Sequence, residues 1–204
     1  MTIDCYGATR PREGSRANED AFWIWRPSSA VAALCDGAGN ASQCAAPVLR
    51  AFAHQIEGGL LDVQQFPAWS HWLGGTDAAI GGGRRTTFVG VAIVQQRLLG
   101  AYAGDSRAYL VNEHGCRLLS DHPCPPLGSG VALARPIHEP LQPHDTVLLL
   151  SDGAWTPLPL TIIHRAVVAA RLTDFADLPV TLLDMAARHG RSDDDMTVVA
   201  MRTR

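Results

Sequence analysis

Four apolar runs along the 204-residue chain each meet an aspartate at one end, and this repetition constrains the fold more than any other feature of the sequence. Leu34-Cys35 runs into Asp36-Gly37, Tyr102-Ala103-Gly104 into Asp105, and Leu150-Ser151 into Asp152-Gly153, while Asp194-Asp195 precedes Met196 to Met201. If those ends lie together, a carboxylate cluster forms. Carboxylates crowded in this way repel one another and take up protons, so near neutral pH the cluster is stable chiefly when cations occupy it. Oxygen ligands without cysteine or histidine point to magnesium or manganese rather than zinc. Glycine after Asp36 and after Asp152 permits a sharp turn and leaves a backbone carbonyl near the acids. Any single Asp-Gly pair reads as an ordinary turn; recurrence at the ends of separate buried strands carries the metal-site reading.

Around these runs the sequence predicts short strands and a few helices. Ile3 to Thr9, Phe22 to Trp25 and Ala30 to Leu34 read as strands. Ala45, Val48, Leu49, Phe52 and Ile56 recur at helical spacing, which predicts one helix from about Ser42 to Glu57, capped by Asn40 or Ser42 and stopped by Gly58-Gly59. Between Phe66 and Arg85, Pro67 and Gly81-Gly82-Gly83 interrupt the pattern, and the expectation is loop with some helix. Thr87 to Val94, Leu98 to Ala103 and Arg107 to Val111 follow across hairpin-sized gaps and predict an antiparallel meander. Pro123 to Pro143 reads as a surface loop, and Thr146 to Leu150 as a strand buried on both faces. Amphipathic helices are expected at Thr161 to Arg171 and Pro179 to His189, and a last strand at Met196 to Met201.

Composition removes several function classes. Hydrophobic residues make up 47% of the chain, enough to bury the core of one compact domain spanning residues 1–204. A formal charge of −3 without a basic run argues against a sequence-independent grip on nucleic acid or an anionic membrane. Cys5, Cys35, Cys44, Cys116 and Cys124 form no Cys-x-x-Cys pair, so neither a zinc knuckle nor a disulfide framework is suggested, and a reducing cytoplasm is the simplest home. The N-terminal residues show no secretory pattern, and no apolar stretch approaches the ~20 residues that span a bilayer. Gly81 to Gly83 lacks the Gly-Lys-Ser/Thr ending of a phosphate loop, and no Gly-x-Ser-x-Gly elbow supports a serine hydrolase.

Read in order, six segments resemble the successive motifs of the metal-dependent protein phosphatases, the type 2C serine/threonine family, in its compact bacterial form. They are Asn18-Glu19-Asp20-Ala21-Phe22, Cys35-Asp36-Gly37-Ala38-Gly39-Asn40, Thr86-Thr87-Phe88-Val89, Gly104-Asp105-Ser106-Arg107-Ala108-Tyr109, Leu150-Ser151-Asp152-Gly153 and Asp194-Asp195-Met196-Thr197-Val198-Val199. The resemblance implies an α+β fold, an α-β-β-α sandwich of two antiparallel sheets flanked by helices, with two manganese or magnesium ions at one end. It implies that Asp36 bridges both ions, that Gly37 lends its carbonyl, and that Asp152 and Asp194 complete one ion's ligands. Glu19 would face the other ion, Asp20 would orient a water held there, and Asp105 would help hold a third, weaker ion. An arginine should grip the phosphate oxygens with its planar fork, and Arg16 is the candidate, with Arg12 as the alternative.

The same resemblance implies a phosphoserine or phosphothreonine protein as substrate and a serine/threonine kinase as the opposing enzyme. A catalytically silent relative that binds phosphoprotein through the same fold, and a hydrolase of small phosphoesters, are the other readings. Departures from the family pattern are Ala38, where some relatives carry a histidine, Arg85 before the paired threonines, Asn40 in place of glycine, and a shortened flap at Pro123 to Pro143. Asp193 and Asp195 flank Asp194 and could exchange roles with it. His122 after Asp121 is expected to be structural, Trp23, Trp25, Trp69 and Trp72 to pack in the core, and Trp155 to line the approach to the metals.

Overall fold

Apolar strands that must be covered on both faces assemble here into two stacked sheets with helices outside. The protein is described from a computed structural model that covers residues 2–15, 17–26, 29–38, 44–190 and 193–204. In chain order the elements are β1 (Ile3–Arg10), β2 (Ala21–Trp25), β3 (Ala30–Cys35), β4 (Gly37–Ala38), α1 (Ala45–Glu57), α2 (Phe66–Ala79), β5 (Arg85–Thr86), β6 (Phe88–Val94) and β7 (Arg97–Ala103). They continue with β8 (Arg107–Asn112), β9 (Gly115–Leu118), β10 (Arg135–Pro140), β11 (Thr146–Leu150), α3 (Asp152–Trp155), α4 (Leu160–Ala170), α5 (Leu178–His189) and β12 (Met196–Thr203). One five-stranded antiparallel sheet has the order β1-β12-β11-β8-β9, the other β10-β7-β6-β3-β2, and β4 and β5 form a small ribbon. The fold implied by the resemblance is the fold observed.

Period-two alternation explains the layers. In β11, Val147 and Leu149 face the other sheet, where they meet Leu34, Val91 and Tyr102, while Leu148 and Leu150 face Ile163 and Val167 of α4 and Leu182 of α5. In β3, Ala32 and Leu34 enter the space between the sheets, and Val31, Ala33 and Cys35 pack under Phe52 of α1 and Trp69 of α2. Strands flanked by a sheet and a helix layer are therefore apolar at every position, as the sequence of β11 indicates. Trp69 is buried; Trp23 and Trp72 lie half-buried against Phe52 at ring distances of 5.8 and 5.1 Å, and Trp25 stacks on Trp23, consistent with the core reading.

Three expectations are corrected. Residues 66–79 form a full helix rather than loop with some helix: Pro67 sits in the first turn, where its missing N–H costs nothing, and Gly74 and Gly75 lie on the exposed face. The buried stripe Trp69, Leu73, Asp77 includes an acid, which hides the helical period. The meander is broken after its first hairpin: β6 and β7 pair, but β8 crosses to the other sheet and pairs with β11 and β9. A tight turn at Gly104-Asp105-Ser106 looks the same in sequence whether the chain folds back or changes sheet. The Pro123 to Pro143 segment contains β10, paired with β7 at the sheet edge, where Pro136 and Pro140 are tolerated. The predicted caps Asn40 and Ser42 fall outside the described residues, and α1 is entered at Cys44 without a side-chain cap.

Register brings the acid-bearing ends to one place. Cys35 stands opposite Ala21, just after Glu19-Asp20, and Leu150 stands between Arg107 and Val198, just before Asp152 and just after Asp105 and Asp194.

Candidate metal centre

Asp36 is fixed through its backbone, which leaves its carboxyl to project. Its N–H donates to the Thr87 hydroxyl at 2.9 Å, and its carbonyl accepts from the Thr87 N–H at 2.9 Å and the Thr86 hydroxyl at 2.8 Å. The Thr87 hydroxyl is in turn bonded to the Ser106 hydroxyl at 2.6 Å. All three hydroxyl residues are buried, so the paired threonines and the serine after Asp105 act as a brace between the two sheets.

Ser151 does the same for the opposite sheet. Its hydroxyl donates to Asp20 Oδ2 at 2.7 Å and accepts from the Thr197 N–H at 2.8 Å, and its own N–H donates to the Thr197 carbonyl. The Asp20 N–H donates to Asn18 Oδ1, and Asn18 Nδ2 donates to the Thr9 hydroxyl, which meets that of Thr197. Asp20 is thus buried and held on one oxygen, while its Oδ1 has no hydrogen-bond partner among the described residues.

Asp195 has a role the sequence did not reveal. Buried at 2% exposure, it accepts the N–H of Arg12 at 2.7 Å and that of Glu19 at 2.5 Å, pinning the segment that carries Glu19 and Asp20 against the start of β12. Both of its oxygens accept backbone N–H groups, whereas Asp193 and Asp194 are exposed and line the groove beside the acids. The glycines after Asp36 and Asp152 are required by close approach rather than by an unusual turn. A Cβ on Gly37 would stand 2.8 Å from the Glu19 carbonyl, and one on Gly153 would stand 2.2 Å from the Asp195 carbonyl. The Gly37 N–H also donates to that Glu19 carbonyl at 3.2 Å.

These braces bring Asp20, Asp36, Asp152 and Asp194 within electrostatic reach of one another, with Asp105 beside Asp152. Burial, then the charges of Asp20 and Asp152, push the Asp36 carboxyl up to about 10. Burial also raises Asp20 to about 7, against the lowering effect of the bonds from Ser151 and Thr197, and raises Asp152. Glu19 reaches this corner through its backbone, while its carboxylate lies 4.0 Å from the Arg12 guanidinium. Arg16 lies outside the described residues.

Among the described residues no group of three or more His, Cys, Asp or Glu side chains is placed to hold a metal ion. The donor set nevertheless fits a hard divalent ion: it is made of carboxylate and carbonyl oxygens, and among the described residues it contains no basic partner for Asp36 or Asp152 and leaves buried Asp152 Oδ1, like Asp20 Oδ1, without a hydrogen-bond partner. A groove of about 480 Å³ lined by Asp152, Gly153, Pro157 and Asp194 opens beside the acids. A larger apolar groove of about 560 Å³ between α1 and α2 contains none of them.

Trp155 borders the cluster: its indole N–H donates to the Asp105 carbonyl at 3.1 Å, and the Arg107 guanidinium lies 3.3 Å above its ring. His122 bonds Asp121 at 2.6 Å, and its backbone is tied to the Tyr102 hydroxyl.

Two antiparallel sheets between helix layers, with an acid-lined end, define the class: a compact type 2C-like sandwich. The chain belongs to the Stage II sporulation protein E (SpoIIE) family, whose sequence pattern matches residues 85–204, the part that carries Asp105, Asp152 and Asp194. The S. agalactiae serine/threonine phosphatase shares the fold over 100% of both chains, with a TM-score of 0.86 at 17% identity. The Mycobacterium tuberculosis serine/threonine phosphatase PstP/Ppp matches over 100% of both chains with a TM-score of 0.79 at 20% identity. The catalytic domain of serine/threonine phosphatase PstP in complex with two manganese ions matches over 98% of this chain and 97% of its own, with a TM-score of 0.78 at 20% identity. A comparison with curated protein sequences finds no significant match. The expected place among compact bacterial type 2C-like proteins is borne out. No helix among the described residues is long and apolar enough to cross a membrane.

Proposed function

We propose that the chain is a metal-dependent serine/threonine phosphoprotein phosphatase that hydrolyses phosphomonoesters without a phosphoenzyme. What supports this reading is that Asp36, Asp152 and Asp194, from three separate strand ends, lie within electrostatic reach of one another, and that buried Asp20 Oδ1 and Asp152 Oδ1 lack a hydrogen-bond partner among the described residues. Manganese or magnesium ions would supply, when bound, the acidity that turns water into a nucleophile at neutral pH and the charge that neutralises the phosphate. Asp36 would bridge two ions, with Asp152 and Asp194 completing one, the Gly37 carbonyl and Glu19 serving the other, and Asp105 a weaker third.

Asp20 has the geometry of an orienting group: Ser151 fixes one oxygen and leaves the other to accept a hydrogen bond from the attacking water. Arg16 would grip the phosphate oxygens, or Arg12, which hangs beside Glu19. The manganese bound by PstP and the serine/threonine specificity in the names of the similar structures support the choice of ion and substrate. Residues 1–204 would act as one catalytic unit in the cytoplasm, opposite a serine/threonine kinase, with neither nucleic acid nor membrane as partner.

Hydrolysis of an aryl phosphate and of a phosphothreonine peptide tests this directly. Turnover should require Mn2+ or Mg2+, stop with chelator, and fall by roughly a hundredfold or more in Asp152→Asn, in line with losing a metal ligand. Turnover indifferent to chelator would overturn the mechanism, whereas Mn2+ binding without turnover would favour a silent binding protein.

A further inference from the structure

Asp77 stands apart from the acidic centre, on the buried stripe of α2, with 6% of its surface exposed. A buried carboxylate is costly unless its charge is met by good hydrogen bonds. Here it is met by backbone alone: Oδ1 accepts the N–H groups of Gly128 at 2.6 Å and Gly130 at 3.2 Å, and Oδ2 accepts that of Ala132 at 3.1 Å. Three donors from one short stretch converge on a single side chain more than fifty residues away in sequence.

The clamped stretch leads straight to the centre. Next to Gly128, the Leu127 N–H donates to the Thr86 carbonyl at 2.9 Å and the Thr86 N–H to the Leu127 carbonyl at 3.1 Å. Thr86 pairs with Gly37 in the β4–β5 ribbon, and its hydroxyl donates to the Asp36 carbonyl. A line of hydrogen bonds, joined by the peptide link between 127 and 128, therefore runs from Asp77 to Thr86 and the backbone of Asp36 and Gly37.

The geometry points to Asp77 as a positioning residue for the acidic centre: by clamping the 127–132 segment to α2 it holds the ribbon that sets Asp36 and the Gly37 carbonyl. This rests on the metal reading above. Asp77 touches neither ion nor substrate; its effect is on how well the preset oxygens fit a cation. Asparagine cannot replace it, because an amide offers one acceptor oxygen and turns its NH2 toward a backbone N–H that also donates.

The test is Mn2+ binding by calorimetry to chelator-stripped wild type and Asp77→Asn, together with hydrogen–deuterium exchange over the whole chain. The variant should bind Mn2+ about 10- to 100-fold more weakly, the usual effect of losing a residue that orients a metal's ligands. Exchange should accelerate in 123–134 and in the β4–β5 ribbon and stay unchanged in β11 and β12. A clamp that served stability alone would lower the melting temperature without moving the Mn2+ affinity, and that result overturns the inference, as does unchanged exchange in 123–134. If Asp77→Asn does not fold, Thr86→Val cuts the same line at its far end and should weaken Mn2+ in the same range; an unchanged affinity there is equally fatal. Wild type that takes up no Mn2+ sinks the metal reading itself, whereas wild type that binds it as well as Asp77→Asn does sinks only the role of Asp77.

Discussion

The two ends of the β1–β12 ladder carry the same chemistry to opposite results. At one end Asp4 stands opposite Arg202 and accepts from its guanidinium at 2.8 Å and from that of Arg204 at 2.6 Å. At the other end, beyond Arg10 and Met196, Asp194 joins Asp36, Asp152 and Asp20, and among the described residues the groups acting most on Asp36 and Asp20 are other acids and hydroxyls. Burial works against ionisation of Asp4, but the bonds and charges of Arg202 and Arg204 outweigh it and hold its carboxyl below the ordinary range. Burial and like charge together push Asp36 and Asp20 well above it. A paired acid contributes to the stability of the fold by itself; a crowd of unpaired acids is held in place by the backbone and gains from an added cation. The first end is built for stability and the second at its expense, which marks the second as the working end.

Arg202→Ala should have the largest effect on stability, because it leaves the Asp4 charge half-buried with only an exposed arginine for company and removes the stack on Phe175. We expect a loss of about 2–3 kcal/mol in urea unfolding of the metal-free protein, the range for breaking a partly buried pair. A loss below the error of the fit would show that this end is no better paired than the other. Asp36→Asn should go the other way and stabilise the metal-free protein by about 1 kcal/mol, since the amide removes an ionisable group that burial and the neighbouring acids disfavour. A destabilised variant would mean that the acids are not strained against one another.

The two ends have opposite signs of pH dependence. In the unfolded chain Asp20, Asp36 and Asp152 lose their protons near pH 4, whereas in the fold Asp20 and Asp36 keep theirs to about 7 and about 10. The folded state therefore binds more protons across that window, and the stability from this end falls as pH rises. Asp4 is lowered, so its contribution is present above the ordinary carboxylate pKa and lost as pH falls below it. The metal-free melting temperature should drop between pH 5 and pH 8, and saturating Mn2+ should flatten the slope. A melting temperature that rises over that interval without metal would contradict the shifts at the acidic end.

Sequence patterns reveal this contrast unevenly. The strand ends at Asp36 and Asp152 stand out because β3 and β11 lie between a sheet and a helix layer, so an unbroken apolar run stops abruptly at a charge. Helix α2 is obscured because its buried stripe ends in Asp77, an acid whose partners are backbone groups of residues 128, 130 and 132. Asp195 is obscured for the same reason: the bonds that bury it come from Arg12 and Glu19, at the far end of the chain. Side chain to backbone bonds leave no complementary residue type to find. The crossing between sheets at 104–106 is set by the hydroxyl brace of Thr87 and Ser106, which a local hairpin pattern does not contain.

The most direct measurement is the Mn2+ stoichiometry of chelator-stripped protein, by equilibrium dialysis with paramagnetic resonance, in wild type and Asp36→Asn. Two tightly held ions per wild-type chain are expected, and loss of both when the carboxyl that would bridge them is replaced. Wild type that retains no manganese, or Asp36→Asn that retains two, would contradict that expectation.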